Sequence, residues 1–422
     1  VTAANRCGVR SRSVTALNGQ EVPVRRSAAL VLAVLLGSVA SAQAADPPPI
    51  RIGDISSYSA LPIGTKGYRQ GWELARDQIN AKGGVIGRKL EIIARDDAGK
   101  PDVAITQAGQ LVESEQVDFL TGGILSHVGL ALAEYANQKK IYFMASQPLT
   151  DAMIWDKGNR YTFRLRTSTY TMSAITAKEA AKLPAKRWAT IAPNYELGQS
   201  AVASFKAEMK KLRPDVEFVD EQWPPLGKID AGAVVQAMAS AKPDAIFNVT
   251  FGPDLAKLVR EGTTRNAFAG RNVVSLMTGD PEYLAPLKDE APAGWLVTGY
   301  PPEAIRTPEH EAFVKAYQER YKEMPNIGAL FGYVNTLVLA RAIEKAGSVR
   351  TEDLIKATEG LTIDSTPVGP IAFRASDHQS TLGIFLGTLA VKDGRGQMAD
   401  WRYVDGAAFQ ASDAEVAARR PR

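Results

Sequence analysis

GWELARDQINAKGGVIGRKLEIIARDDAGKPDVAI, residues Gly71–Ile105, decides the fold class. With Tyr68 just upstream, apolar side chains fall at Tyr68, Trp72, Ala75 and Ile79, so Lys66 to Ala81 predicts a helix. Gly83-Gly84 end it, because the residue just past a helix often turns left-handed and glycine does so without strain. Leu90 to Ala94 is a short apolar run rich in isoleucine and reads as a strand. Pro101 then opens a second helix with Ala104, Ala108, Leu111 and Val112 on one face. Helix, strand, helix is the alternation of a parallel α/β sheet.

The same rhythm extends both ways. Upstream, Ile50 to Ile55 alternates apolar and polar, and Ser56 to Gly64 makes a loop. Downstream come Phe119-Leu120-Thr121, a helix from Ser126 to Gln138, and the strand Ile141 to Met144. After Tyr161 the pattern restarts. Trp188 to Ile191 precedes a helix over Gln199–Leu212, and Ala245 to Val249 precedes one over Asp254–Arg260. Val273 to Met277 precedes a short helix near Glu282. Helices then fill Pro308 to Gly360, and strands at Gly383–Val391 and Trp401–Val404 follow. Two successive runs of βα units predict two Rossmann-like lobes with parallel-sheet cores. The closing Arg419-Arg420-Pro421-Arg422 reads as a short frayed end.

The N-terminal part reads differently. Arg25-Arg26 precede the uncharged run AALVLAVLLGSVA, Ala28–Ala40, and Ala42-Gln43-Ala44 offers small residues for cleavage. This is the pattern of an export signal cut after Ala44, and the run is too short to cross a bilayer. Residues 1–24 are polar and hold the only cysteine, Cys7, and Val22 or Val24 would serve equally well as initiator. Setting aside the five arginines and one glutamate of residues 1–44 turns 50 basic and 46 acidic residues into 45 of each. The basic balance of the whole chain therefore argues for neither nucleic acid nor anionic membrane as a partner. The remainder exceeds what one core usually organises, so two domains are expected, without disulfides. No second apolar run approaches membrane-spanning length, and the exported part reads as soluble and periplasmic.

Motifs for chemistry are sparse. No phosphate-binding loop and no Gly-x-Gly-x-x-Gly follows a strand, and His127, His310 and His378 stand in neither metal-ligand nor nucleophile-base spacing. Ser126 and His127 are neighbours at a helix start and so point apart, and Asp96-Asp97 reads as a pair of solvated strand-end charges. Neither metal, cofactor nor catalytic residue is expected. What recurs is a polar loop between an apolar strand and a helix. It occurs at Ser56-Ser57-Tyr58-Ser59, Gly122 to His127, Ala145-Ser146-Gln147-Pro148, Thr250 to Asp254 and Thr278-Gly279-Asp280. In parallel α/β sheets ligands collect at such carboxyl ends, where helix N-termini present free N–H groups.

These residues resemble the leucine/isoleucine/valine-binding family of periplasmic ABC-transporter solute receptors. The resemblance is strongest in Gly71–Ile105, with Ile79-Asn80-x-x-Gly83-Gly84, Gly87-x-x-Leu90 and Asp96-Asp97. It continues at Tyr161–Arg166, Glu196-Leu197-Gly198 and Gly294–Val297. It implies a type I periplasmic binding fold, two lobes joined by a three-stranded hinge near Arg166–Ser168, Tyr300–Pro302 and Phe373–Ser380. Lobe 1 would comprise 45–166 and 302–374, lobe 2 would comprise 167–301 and 375–410, and 411–422 would be a tail.

The resemblance also implies a site. Ser126 matches the donor to a ligand carboxylate, with Ala145, Ser146 and Gln147 beside it. Tyr195 and Phe251 would cover an apolar side chain, Asp280 would pair with an ammonium, and Tyr170 would line the mouth. Ser57, Tyr58 and His127 belong to the same loops. Departures such as Gln147, Leu197-Gly198 and the absence of a small disulfide near Gly99 bear on the ligand rather than the fold. The reading is a non-enzymatic receptor for a branched-chain or related apolar amino acid, handing it to permease subunits of an ABC importer. The alternative is an aromatic or other carboxylate, an amide or a urea-like solute, for which Tyr58, Tyr170, Tyr195 and Phe251 supply rings to stack on. An exported α/β enzyme would need a nucleophile with a base, which the sequence does not offer.

Overall fold

The structure is a computed structural model and describes residues 47–421; the stretch expected to be an export signal and Cys7 lie outside the described residues. The first sheet comprises β1 (Ile50–Ser56), β2 (Leu90–Asp96), β3 (Phe119–Gly122), β4 (Phe143–Ala145) and β5 (Thr162–Arg164). Its order is β2-β1-β3-β4-β5 and every pairing is parallel. The helices α1 (Pro62–Ala81), α2 (Pro101–Gly109) and α3 (Ser126–Lys139) connect its strands.

The opening motif has a mechanical reason. The Asn80 side chain accepts from Leu90 N at 2.7 Å and donates to Leu90 O at 2.9 Å, stapling the end of α1 to the start of β2. Gly84, at φ +86°, sits so close to the Arg88 carbonyl that a Cβ would stand 1.9 Å from its oxygen.

Beyond β5, α4 (Thr169–Ala180) leads into the second lobe. There β6 (Arg187–Ile191), α5 (Glu196–Leu212), β7 (Glu217–Gln222), α6 (Ala231–Ala241), β8 (Ala245–Asn248), α7 (Gly252–Thr264), β9 (Asn272–Gly279), α8 (Pro281–Leu284) and β10 (Leu296–Gly299) alternate. The chain then returns to the first lobe for α9 (Pro308–Tyr321), α10 (Ile327–Ala346), α11 (Thr351–Thr358) and the small ribbon β11 (Thr362–Ile363) and β12 (Ile371–Ala372). It crosses once more to β13 (Ile384–Lys392) and β14 (Arg395–Val404). The second sheet runs β14-β13-β10-β9-β8-β6-β7, with β13 and β14 antiparallel, so this core is mixed rather than wholly parallel. The chain thus passes between lobes three times, and the third crossing pairs with the end of β5 at Arg164–Gln379 and folds back on itself at Phe373–Ser380.

α10 is long and apolar enough by composition to cross a bilayer, which the sequence reading did not anticipate, yet most of it is buried. It lies against α1 through facing glycines. A Cβ on Gly71 would stand 2.0 Å from Ala329 O, and one on Gly332 would stand 2.0 Å from Tyr68 O. Backbones this close bury the helix pair tightly and fix where α10 begins.

The last residues are not frayed. A capping box at Ser412 and Glu415 starts α12 (Asp413–Arg419). Arg419 pairs with Asp156 and lies over the Trp155 ring. Arg420 donates to the carbonyls of Ile154, Asp377 and Asn159. The segment runs from Phe409, packed on the second lobe's core, to Val416, packed on the first lobe's. A run of charges at a chain end suggests solvent, but here the guanidinium groups find carbonyls that need donors.

Candidate functional site

The carboxyl ends of both sheets face one cleft, where the lobes touch. Thr150 Oγ1 donates to Glu196 Oε1 at 2.6 Å, and the His127 and Tyr195 rings meet edge to face at 5.6 Å. Asp151, from the loop after β4, accepts from Ser200 and Ser204 of α5.

On the first lobe, Asp54 anchors the loop after β1. Its buried carboxyl accepts from Tyr68 Oη at 2.9 Å and from Tyr58 Oη, and Trp72 Nε1 donates to Tyr58 Oη at 3.3 Å. Burial pushes Asp54 up to about 7, against the lowering effect of the two tyrosine hydroxyls. Tyr58 therefore spends its hydroxyl on the scaffold, whereas Ser57 Oγ is buried without a partner among the described residues. Gly122 and Gly123, at φ +110° and +75°, turn the chain after β3 where Gly122 passes too close to Ile55 O for any side chain. Ser126 follows. Its Oγ accepts from Leu149 N and Thr150 N, both at 3.3 Å, which leaves the O–H to donate elsewhere. His127 Nε2 bonds to Gly99 O at 3.1 Å, so Ser126 and His127 do not act on each other. Ala145, Ser146 and Gln147 are buried after β4. Ser146 Oγ donates to Gly123 O, and Gln147 Nε2 has no partner among the described residues.

On the second lobe, Tyr195 and Phe251 occupy the N-cap positions of α5 and α7, and Phe251 packs near Tyr283 with ring centroids 6.1 Å apart. Asp280, after β9, is buried and its Oδ2 accepts no hydrogen bond among the described residues. The nearest cation is Arg166 at the first crossing, with Nη2 4.0 Å from that oxygen and side-chain exposures of 12% and 4%. The guanidinium carbon of Arg166 stands 4.8 Å over the Phe331 ring of α10. Glu282 is buried beside them and accepts from Ile327 N, the first residue of α10, at 3.4 Å. Burial pushes both Asp280 and Glu282 upward, Asp280 additionally through its neighbour Glu282, while Arg166 pulls each down.

Tyr170 packs edge-on to Trp155 at 5.1 Å, in a groove lined by Asp151 and Arg419 on one side and by Ser204 and Glu208 of α5 on the other. Its backbone N–H bonds to Asp151 at the start of α4. Asp97 differs from expectation. Its carboxyl is buried, Oδ1 accepts from Gly99 N at 2.7 Å, and burial raises it, whereas Asp96 caps the neighbouring loop. Arg166, Glu282, Tyr283 and Phe331 were not singled out as site residues from sequence. Arg166 read only as a hinge position, and Glu282 carried no signal beyond standing two residues from Asp280.

Among the described residues no cluster of three or more His, Cys, Asp or Glu could hold a metal ion. The arrangement can bind and orient a small polar solute with an apolar part: an unpaired carboxylate oxygen, unpaired amide and hydroxyl groups, and aromatic walls.

Residues 49–395 match the family described as periplasmic binding protein. The Leucine-, isoleucine-, valine-, threonine-, and alanine-binding protein of Pseudomonas aeruginosa is 25% identical over 325 residues, covering 76% of this chain and 83% of that protein. The leucine-specific-binding protein of Salmonella typhimurium is 23% identical over 354 residues, covering 82% and 92%. Among solved structures, an ABC-transporter solute binding protein from Rhodopseudomonas palustris in complex with 3,4-dihydroxy benzoic acid superposes with a TM-score of 0.75 at 24% identity, covering 85% of this chain and 98% of that one. The leucine-, isoleucine-, valine-, threonine-, and alanine-binding protein of Brucella ovis, in a closed conformation, gives 0.76 at 20%, covering 86% and 97%.

Proposed function

The chain belongs to the periplasmic binding protein family, and from that premise we propose that it is the receptor of an ABC importer for a branched-chain or related apolar amino acid. The observation that carries the ligand class is Asp280 Oδ2, buried in the cleft with no hydrogen bond among the described residues. A buried carboxylate needs a partner, and around it stand a second carboxyl, Glu282, and one guanidinium, Arg166. Two acids with one base suit a zwitterion, whose ammonium meets Asp280 and whose carboxylate meets donors elsewhere. Those donors are the Ser126 O–H and the N–H groups around Ala145 to Gln147. Tyr195, Phe251 and Tyr283 enclose the side chain. The named ligands of the Pseudomonas aeruginosa relative are amino acids of this class.

Calorimetry with leucine, isoleucine and valine tests the reading, alongside benzoate and 4-hydroxybenzoate. Wild type should bind the amino acids, and Asp280→Asn should weaken them by about 1.5–3 kcal/mol, the worth of a hydrogen bond to a charged group. Tight benzoate binding with no amino-acid binding would replace this reading with the second. That second reading, an aromatic carboxylate, draws on Arg166, whose guanidinium makes no hydrogen bond among the described residues. The neighbour crystallised with 3,4-dihydroxy benzoic acid supports it at the level of fold.

Family membership implies a periplasmic location. Export through the signal cut after Ala44, delivery to permease subunits and the absence of catalysis complete the proposal. The proposed lobes are 45–166 with 302–374 and 167–301 with 375–410. N-terminal sequencing of the exported protein checks the cleavage.

A further inference from the structure

Glu282 does something no ligand contact requires. It stands on α8 of the second lobe, yet its Oε2 accepts from Ile327 N at the start of α10 in the first lobe. Asn326 caps α10 by accepting from Ala329 N, which leaves the Ile327 N–H for an outside partner. A carboxylate there also meets the positive end of a 20-residue helix. The bond therefore joins the lobes beside the hinge.

The surroundings make that bond conditional. Asp280 and Tyr283 face Glu282 from its own turn, and Arg166 faces it from the first crossing. Tyr300 faces it from the second crossing, its hydroxyl bonded to His310 Nε2 at 2.7 Å, and Tyr317 faces it from α9. The only cation in this set is Arg166. Two buried carboxyls sharing one guanidinium cannot both ionise cheaply. A solute ammonium at Asp280 supplies the missing charge.

We propose that Glu282 is a specificity-determining latch, holding the lobes together in its ionised form only when the solute brings a cationic group to Asp280. A solute carrying a carboxylate alone leaves the two acids in conflict and closes the lobes poorly. The inference deepens the amino-acid reading and rests on it for the identity of the solute. The latch itself is read separately, in the protein without solute. There the closed form binds the extra proton, because burial raises Glu282. Closure is therefore favoured at low pH and fades as pH rises from the ordinary carboxylate range toward neutrality.

The experiment follows lobe separation in the full exported chain by small-angle scattering and by a pair of spin labels, one on each lobe. Glu282→Gln keeps an acceptor for Ile327 N and removes the charge, so the empty variant should be more closed than wild type and show a shallower pH dependence, the part that remains coming from Asp280, which burial raises on its own account. Its preference for leucine over 4-methylpentanoate, the same skeleton without the ammonium, should fall by at least about tenfold. Glu282→Asp keeps the charge but draws back from Ile327, and should stay pH-dependent while closing less. Equal lobe separation and equal pH dependence in wild type and Glu282→Gln overturn the latch. Failure of wild type to bind any amino acid overturns the amino-acid reading instead, through a different measurement.

Discussion

Gly71→Ala tests the packing that sets the position of α10 and, through it, the cleft. An added methyl would sit 2.0 Å from Ala329 O, 2.8 Å from its carbonyl carbon and 2.9 Å from Tyr333 N. All three are backbone atoms, so no rotamer change relieves the clash. Ordinary contact begins at 3.4 Å, which requires α10 to recede by roughly 1.4 Å along that direction. Overpacking of a well-packed core costs about 1–3 kcal/mol, and a backbone clash belongs at the upper end. Alanine's better helix propensity returns about 1 kcal/mol. The net is a loss of about 2 kcal/mol. Gly109→Ala is the control, since Gly109 ends α2 in helical conformation with nothing within 4 Å of its would-be Cβ. It should gain up to about 1 kcal/mol. Equilibrium urea unfolding of the two variants side by side reads the difference, and hydrogen exchange should show the weakening in α1 and α10. A Gly71→Ala protein as stable as Gly109→Ala would refute the close approach.

Two further outcomes follow from buried charge. Asp54 is raised from 3.8 to about 7, so the folded protein holds a proton that the unfolded chain has released across that interval. Stability should therefore fall as pH rises from 3.8 to about 7, and Asp54→Asn should remove that part of the slope in urea midpoints measured across the range. Arg420→Ala strips donors from the carbonyls of Ile154, Asp377 and Asn159, at a cost of about 1–3 kcal/mol felt first in α12. Hydrogen exchange over residues 411–421 should quicken, and unchanged protection would show that the guanidinium is not what holds the segment.

The helices that were legible in the sequence are those with one wet and one dry face: α1 and α3 show their periodicity because solvent touches one side. β3, β4, β8 and β9 were legible as short apolar runs because the sheet buries them on both faces. α4 carries almost no such signal, since nearly every residue from Thr169 to Ala177 is buried and its threonines and serines bond inward. β7 hides for the opposite reason, an edge strand of sequence EFVDEQ whose charges face water. The loops after β1, β3, β4, β8 and β9 were legible as a set, because a polar loop between an apolar strand and a helix is a local pattern. The sequence places Tyr170 by neighbourhood alone, whereas its packing against Trp155 depends on the turn at Ser168 and on Asp151, which a local reading does not see. Glu282 marks the limit more sharply. In sequence it is one acid in a short exposed-looking turn. Its burial depends on Arg166, more than a hundred positions earlier, and on the first turn of α10, which the close approaches at Gly71 and Gly332 hold in place. A charge whose meaning comes from three distant segments has no local signature. The same dependence is why moving α10 by mutation at Gly71 should disturb the Glu282 contact without touching any residue that meets solute.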